Sequence, residues 1–127
     1  MRIFKTKGLA RFARQEQIAD ASLREAIKRA ERGLIDADLG NGLIKQRIAR
    51  QGSGRSGGYR TILAYRASDR AIFLYGFAKR DRENIGDDEL RTLREAAGYW
   101  LAANSEHIAL AIAESEIQEV NNDDKND

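Results

Sequence analysis

The chain has no cysteine and no proline, and only one histidine, one methionine and one tryptophan among its 127 residues. Without cysteine there can be no disulfides, no thiol nucleophile and no cysteine-ligated zinc. The lone histidine, His107, cannot form a histidine acid–base pair, and no H-x-x-x-H metal spacing exists, so no role is assigned to it. No apolar run approaches the ~20 residues of a membrane span. The basic opening MRIFKTKGLARF lacks the apolar stretch of a signal peptide. There is no internal repeat. These absences, with 42% apolar and 33% charged residues, describe one cytoplasmic domain with a single core and no membrane partner.

What the chain does have is charge, unevenly placed. Residues 1–44 hold nine basic and six acidic side chains, residues 45–82 ten and two, and residues 83–127 three and twelve. The middle third predicts an anionic partner such as nucleic acid. The acidic last third is either ordinary solvated surface or a shield for the basic face.

Read for periodicity, Arg2–Lys5 is a short edge strand and Leu9–Gln17 a helix. Ser22-Leu-Arg-Glu25 fits a capping box for a second helix, with Leu23, Ile27 and Ala30 on its apolar stripe and Gly33 as its C′ residue. These two helices are expected to form a hairpin on one face of a sheet. Gly33–Gly42 reads as a loop. Strands follow at Leu43–Arg50, Tyr59–Arg66 and Ala71–Ala78, the last two joined by a hairpin at Ala67–Arg70. A helix from Asp87 to Ala103, a short one from Ser105 to Ala113 and a small strand at Glu116–Val120 precede a polar tail. The expected fold is α+β: an N-terminal helical hairpin packed on a three- to four-stranded antiparallel sheet, followed by a C-terminal helix.

Gly52-Ser-Gly54-Arg-Ser-Gly57 spells G-x-G-x-x-G, but a dinucleotide site needs a helix next, and here Tyr59-Arg-Thr-Ile-Leu-Ala-Tyr is strand. What remains is a loop carrying Arg55, able to wrap an irregular anion. Alternation puts Ile44, Gln46 and Ile48 on one face of their strand and Lys45 and Arg47 on the other, while Arg60 and Arg66 share a face with Ile62 and Ala64. If the register gathers Lys45, Arg47, Arg60 and Arg80, four cations converge on the sheet. Otherwise each sits singly on a solvated edge, paired with a carboxylate. Tyr65, Phe73, Tyr75 and Phe77 read as core, with Tyr59 beside the glycine loop the best candidate for base contact. Asp87, Asp88 and Glu89 fit a helix start rather than a metal site.

Three blocks, Ile44-Lys-Gln-Arg-Ile-Ala-Arg50, Ser56-Gly-Gly-Tyr-Arg-Thr61 and Gly76-Phe-Ala-Lys-Arg-Asp-Arg-Glu-Asn-Ile85, strongly resemble the RelE/HigB family of toxins from bacterial toxin–antitoxin pairs. The resemblance spans roughly Ile3 to Ala103, leaving residues 104–127 as a C-terminal helical extension and acidic tail. It implies a ribosome-dependent mRNA endoribonuclease, needing no metal or other cofactor and neutralised by an antitoxin. It further implies Lys45 as the base in the field of neighbouring cations, Arg60 and Arg80 holding the phosphorane charge, and Arg47 positioning the backbone. Arg50, Arg55, Tyr59, Lys79 and Arg82 would line the RNA path. Such toxins often carry a tyrosine after the basic loop, where this chain has Asn84-Ile85-Gly86. The alternatives are a gyrase poison like the ParE toxins, which share the fold, or a non-catalytic RNA-binding module.

Overall fold

The computed structural model describes residues 1–50 and 54–120, with the side chains of residues 50 and 54–57 outside that description. Six strands form one mixed sheet: β1 (Arg2–Thr6), β2 (Ala37–Gly40), β3 (Leu43–Arg50), β4 (Gly54–Arg66), β5 (Arg70–Ala78) and β6 (Ile117–Glu119). Their order across the sheet is β2-β3-β4-β5-β1-β6, antiparallel except where β1 runs parallel to β5. The four helices are α1 (Lys7–Glu16), α2 (Asp20–Glu31), α3 (Asp87–Ala102) and α4 (Ser105–Ala113).

This corrects the expected fold on two counts. The sheet has six strands, not three or four, and it is mixed rather than antiparallel. There is no N-terminal helical hairpin either: the chain opens with a sheet strand, and α1 and α2 come after it. Each spreads over the sheet, α1 against β5, β1 and β6 and α2 against β3. The antiparallel run β3–β4–β5 stands as expected, turning at Ser68 with a positive φ of 59°.

The two faces of the sheet build two apolar cores. One joins Leu9, Ala13, Leu23 and Ile27 of α1 and α2 to Ile44, Ile48, Leu63 and Phe73. The other joins Ala97, Ile108 and Ala111 of α3 and α4 to Phe4, Leu43, Ile62 and Phe77. Ile3 and Phe4 serve opposite cores, which is why β1 is an inner strand and not the edge its four-residue signal suggested. The alternation in β3 holds, with Ile44, Gln46 and Ile48 all buried.

Local chemistry explains the remaining differences. Asn41-Gly42 takes positive φ at both residues (56° and 81°), the twist-matched two-residue hairpin that makes Ala37–Gly40 a strand instead of loop. Thr6 caps α1 by accepting from the Leu9 N–H at 3.2 Å. The Ser22 capping box does not form, because α2 begins two residues earlier behind Ala19, which has no side-chain cap. Asn104 caps α4, accepting from the His107 N–H at 2.8 Å. Gly33 is the C′ residue expected: at φ 84° its N–H reaches Ala30 O, and Leu34 N–H reaches Arg29 O, both at 2.9 Å. β4 already runs through Gly57, so no helix follows the glycine motif. Residues 51–53 of that motif, and the tail beyond Val120, lie outside the described residues.

Gly76 lets α1 lie close on β5, because a Cβ there would meet the Phe12 ring at 2.6 Å and Leu9 at 3.2 Å. Gly76→Ala is expected to destabilise the protein by about 1–3 kcal/mol through overpacking, read as a lower urea midpoint at unchanged m. The β4–β5 turn is fixed to α2 where the Tyr65 hydroxyl donates to Glu31, whose carboxylate also accepts from the Ser68 N–H at 3.0 Å. These bonds hold Glu31 below its ordinary 4.5. Burial, then Glu31, push Tyr65 from 10.0 up to about 12. The Glu31 contribution is present above 4.5 and is lost as pH falls through the lower folded value. The Tyr65 contribution is present below 10.0 and is lost as pH rises through about 12. The melting-temperature gap between wild type and Tyr65→Phe should therefore be widest from roughly pH 5 to 10 and close at both extremes.

Candidate phosphate-binding face

Arg47 on β3 and Arg60 on β4 are directly opposed in the ladder, and Lys45 is opposed to Ile62 two pairs along. Arg60 is in turn opposed to Phe77 of β5. Since Ile62 and Phe77 belong to the core under α3, Lys45, Arg47 and Arg60 all issue from that face of the sheet. Like charges directly opposite across a ladder destabilise it.

The environment makes the pair costlier. Arg60 is only 8% exposed, and its Nη1 is buried with no hydrogen-bond partner. Among the described residues, neither Lys45, Arg47, Arg60 nor Lys79 is in a salt bridge. A buried guanidinium without a carboxylate, directly opposite a second arginine in the ladder, suits an anion site.

Other cations of the basic stretch have structural tasks. Arg66 donates to Leu101 O at 2.7 Å, and Arg70 to both Trp100 O and Ala103 O at 2.7 Å, which satisfies the last carbonyls of α3. Arg82 holds Glu89 at 2.6 Å and the Tyr75 hydroxyl at 3.1 Å, with its guanidinium carbon 5.6 Å from the Phe77 ring centre. That is one point where the acidic last third covers a basic side chain. Arg80 does not join the trio. It turns toward α1, donating to Glu16 at 3.0 Å and pairing more loosely with Asp81, in a cleft of about 580 Å³ lined also by Gln17, Ser22 and Tyr59. Tyr59 is buried in the core on the α1 side, edge-on to Phe12, and its hydroxyl donates to Glu16 O. Lys79 is exposed just past β5. The side chains of Arg50 and Arg55 lie outside the described residues.

The sequence reading missed the residues that brace Arg47. β2 pairs with β3 only as far as Lys45, so beyond it the Arg47 main chain needs other partners. Asp36 accepts from the Arg47 N–H at 2.7 Å, and the buried Arg29 donates to the Arg47 carbonyl while its Nε holds Glu25 at 3.1 Å. Gln46, fully buried, accepts from the Asp36 N–H at 2.8 Å and donates to Ala26 O at 2.9 Å. The available signal was Gln46 itself, a polar residue between two isoleucines on the core-facing side.

The arrangement is that of a small α+β protein whose mixed sheet carries Lys45, Arg47 and Arg60 on one face. Residues 1–120 match the family model described as the RelE toxin of the RelE / RelB toxin-antitoxin system, and the chain belongs to that family. A comparison with curated proteins gave no match. The protein is thus a toxin of a toxin–antitoxin system, with an antitoxin as partner. No helix among the described residues is long and apolar enough to cross a membrane.

If Arg60 is held in place at the expense of stability, replacing it with an apolar side chain of similar length should help folding. Arg60→Met is expected to raise stability by about 1 kcal/mol in urea unfolding.

Proposed function

We propose that this toxin is an mRNA endoribonuclease acting on the ribosome, in the cytoplasm. The observation that carries the reading is the Arg47–Arg60 opposition with the buried, unpartnered Nη1 of Arg60, which suits a phosphodiester held on the sheet. In this reading the ribose 2′-hydroxyl attacks the adjacent phosphorus while Lys45 takes its proton. The 5′-oxygen leaves and is protonated from solvent, giving a 2′,3′-cyclic phosphate and a 5′-hydroxyl end. Arg60 receives the charge that builds on the non-bridging oxygens, where it is desolvated and already in place. Arg47 orients the same phosphate. Lys79, exposed just past β5, handles flanking backbone, as would Arg50 and Arg55. The antitoxin neutralises the toxin by keeping RNA from this face.

Mapping mRNA 5′ ends after brief induction should show new cuts with wild type. Cutting should fall by about 10²-fold or more with Arg60→Ala, on the scale of losing one oxyanion donor, and by far less with Arg80→Ala. Growth arrest without new ends would instead establish a gyrase poison or a non-catalytic binder.

A further inference from the structure

Along β5 from Phe77, the next residue on the same face is Tyr75, opposed to Ile62 in the ladder. Tyr75 forms one wall of a cleft of about 340 Å³ between the sheet and the first turns of α3, completed by Asp88, Glu89, Thr92 and Leu93. We propose that this cleft is a nucleobase subsite, which seats one base of a bound RNA strand against the Tyr75 ring and reads it with Asp88 and Thr92, taking guanine best. The proposal rests on the reading of Arg47 and Arg60 as a phosphate site and adds which part of the substrate lies beside it.

The placement fits a nucleotide. Arg60 and Tyr75 are diagonal neighbours across the β4–β5 ladder, roughly 7–8 Å apart at their backbones. A phosphate on Arg60 and a base on Tyr75 are then joined by the length of one ribose. The Tyr75 ring is held by Arg82, which donates to its hydroxyl at 3.1 Å, and by Phe77, whose ring lies 6.0 Å away at a tilt of 39°. A ring fixed in this way can stack a base without ordering itself first.

The cleft's polar groups decide which base. Glu89 is engaged, holding Arg82 at 2.6 Å and accepting from the Gly86 N–H at 2.8 Å. Asp88 is 94% exposed, and its ion pair with Arg91 one turn on, itself 69% exposed, lies in water. Such a pair is easily exchanged. A carboxylate offers two acceptors and no donor. Guanine presents two adjacent donors on its Watson–Crick edge, whereas uracil presents one between two carbonyl oxygens that a carboxylate repels. The Thr92 hydroxyl can serve as donor or acceptor beside it.

The test is binding of 5′-GMP, 5′-UMP and ribose 5-phosphate to the full chain at low salt, followed by NMR titration. Wild type should bind GMP about five-fold or more tighter than ribose 5-phosphate, with UMP between them. Asp88→Asn should remove the preference for GMP over UMP, and Tyr75→Leu the advantage of both nucleotides. Both variants should leave ribose 5-phosphate affinity unchanged, which also verifies their fold. Equal affinity of wild type for GMP and ribose 5-phosphate, or a guanine preference that survives both substitutions, overturns the subsite. Base-dependent binding in a protein that produces no new mRNA 5′ ends would count against the nuclease reading and leave the subsite standing.

Discussion

Two arginines directly opposed across a β-ladder, one of them shut away from water, set the terms for the rest of this molecule. No β-sheet gains from such an arrangement. It stands because β3, β4 and β5 are buried on both sides by helices, so that Ile44, Ile48, Leu63 and Phe73 on one face and Leu43, Ile62 and Phe77 on the other hold the register. The sheet cannot slip to relieve Arg60 without turning every one of these side chains to the wrong face.

The scaffold gives further support where the ladder runs out. Arg29, Asp36 and Gln46 do for the Arg47 backbone what another residue pair of β2 would have done, but with side chains. At the opposite end of the sheet, Arg66 and Arg70 close the C-terminus of α3. The basic stretch therefore contains two populations. Some arginines are committed to carbonyls and carboxylates and serve the fold, while Lys45, Arg47 and Arg60 have no carboxylate partner among the described residues.

The central meander and the opposite faces of Ile44 and Lys45 were legible because strict alternation in a half-buried strand leaves little choice. The inner position of β1 was not. A strand of five residues covered on both faces looks in sequence like any short apolar run, and its parallel partner lies far along the chain. The Asn41-Gly42 dipeptide did carry a readable hairpin signal. Residue type and spacing placed Lys45, Arg47 and Arg60 on one face of the sheet, as the ladder does. They misplaced Arg80, because it lies beyond the last strand pair, where alternation no longer fixes direction and Glu16 of α1 attracts it. Tyr59 was drawn away from the surface by Phe12, a contact between residues 47 apart in sequence that no local pattern encodes.

The position of β1 has a kinetic consequence. Its neighbours in the sheet are β5 and β6, and the Arg2–Glu119 pair that ties it to β6 closes a separation of 117 residues. Pairings this distant form late, after their loop-closure entropy has been met by other contacts. During synthesis the first strand to leave the ribosome can pair with β5 but must wait for β6, nearly the last element, and until then its outer margin is uncovered. Strands β3 and β4 can pair well before that. A nascent toxin is thus an open sheet for the time needed to add its final forty residues or so, about 2–8 s at ordinary elongation rates, and during that interval a partner can bind it before it is whole.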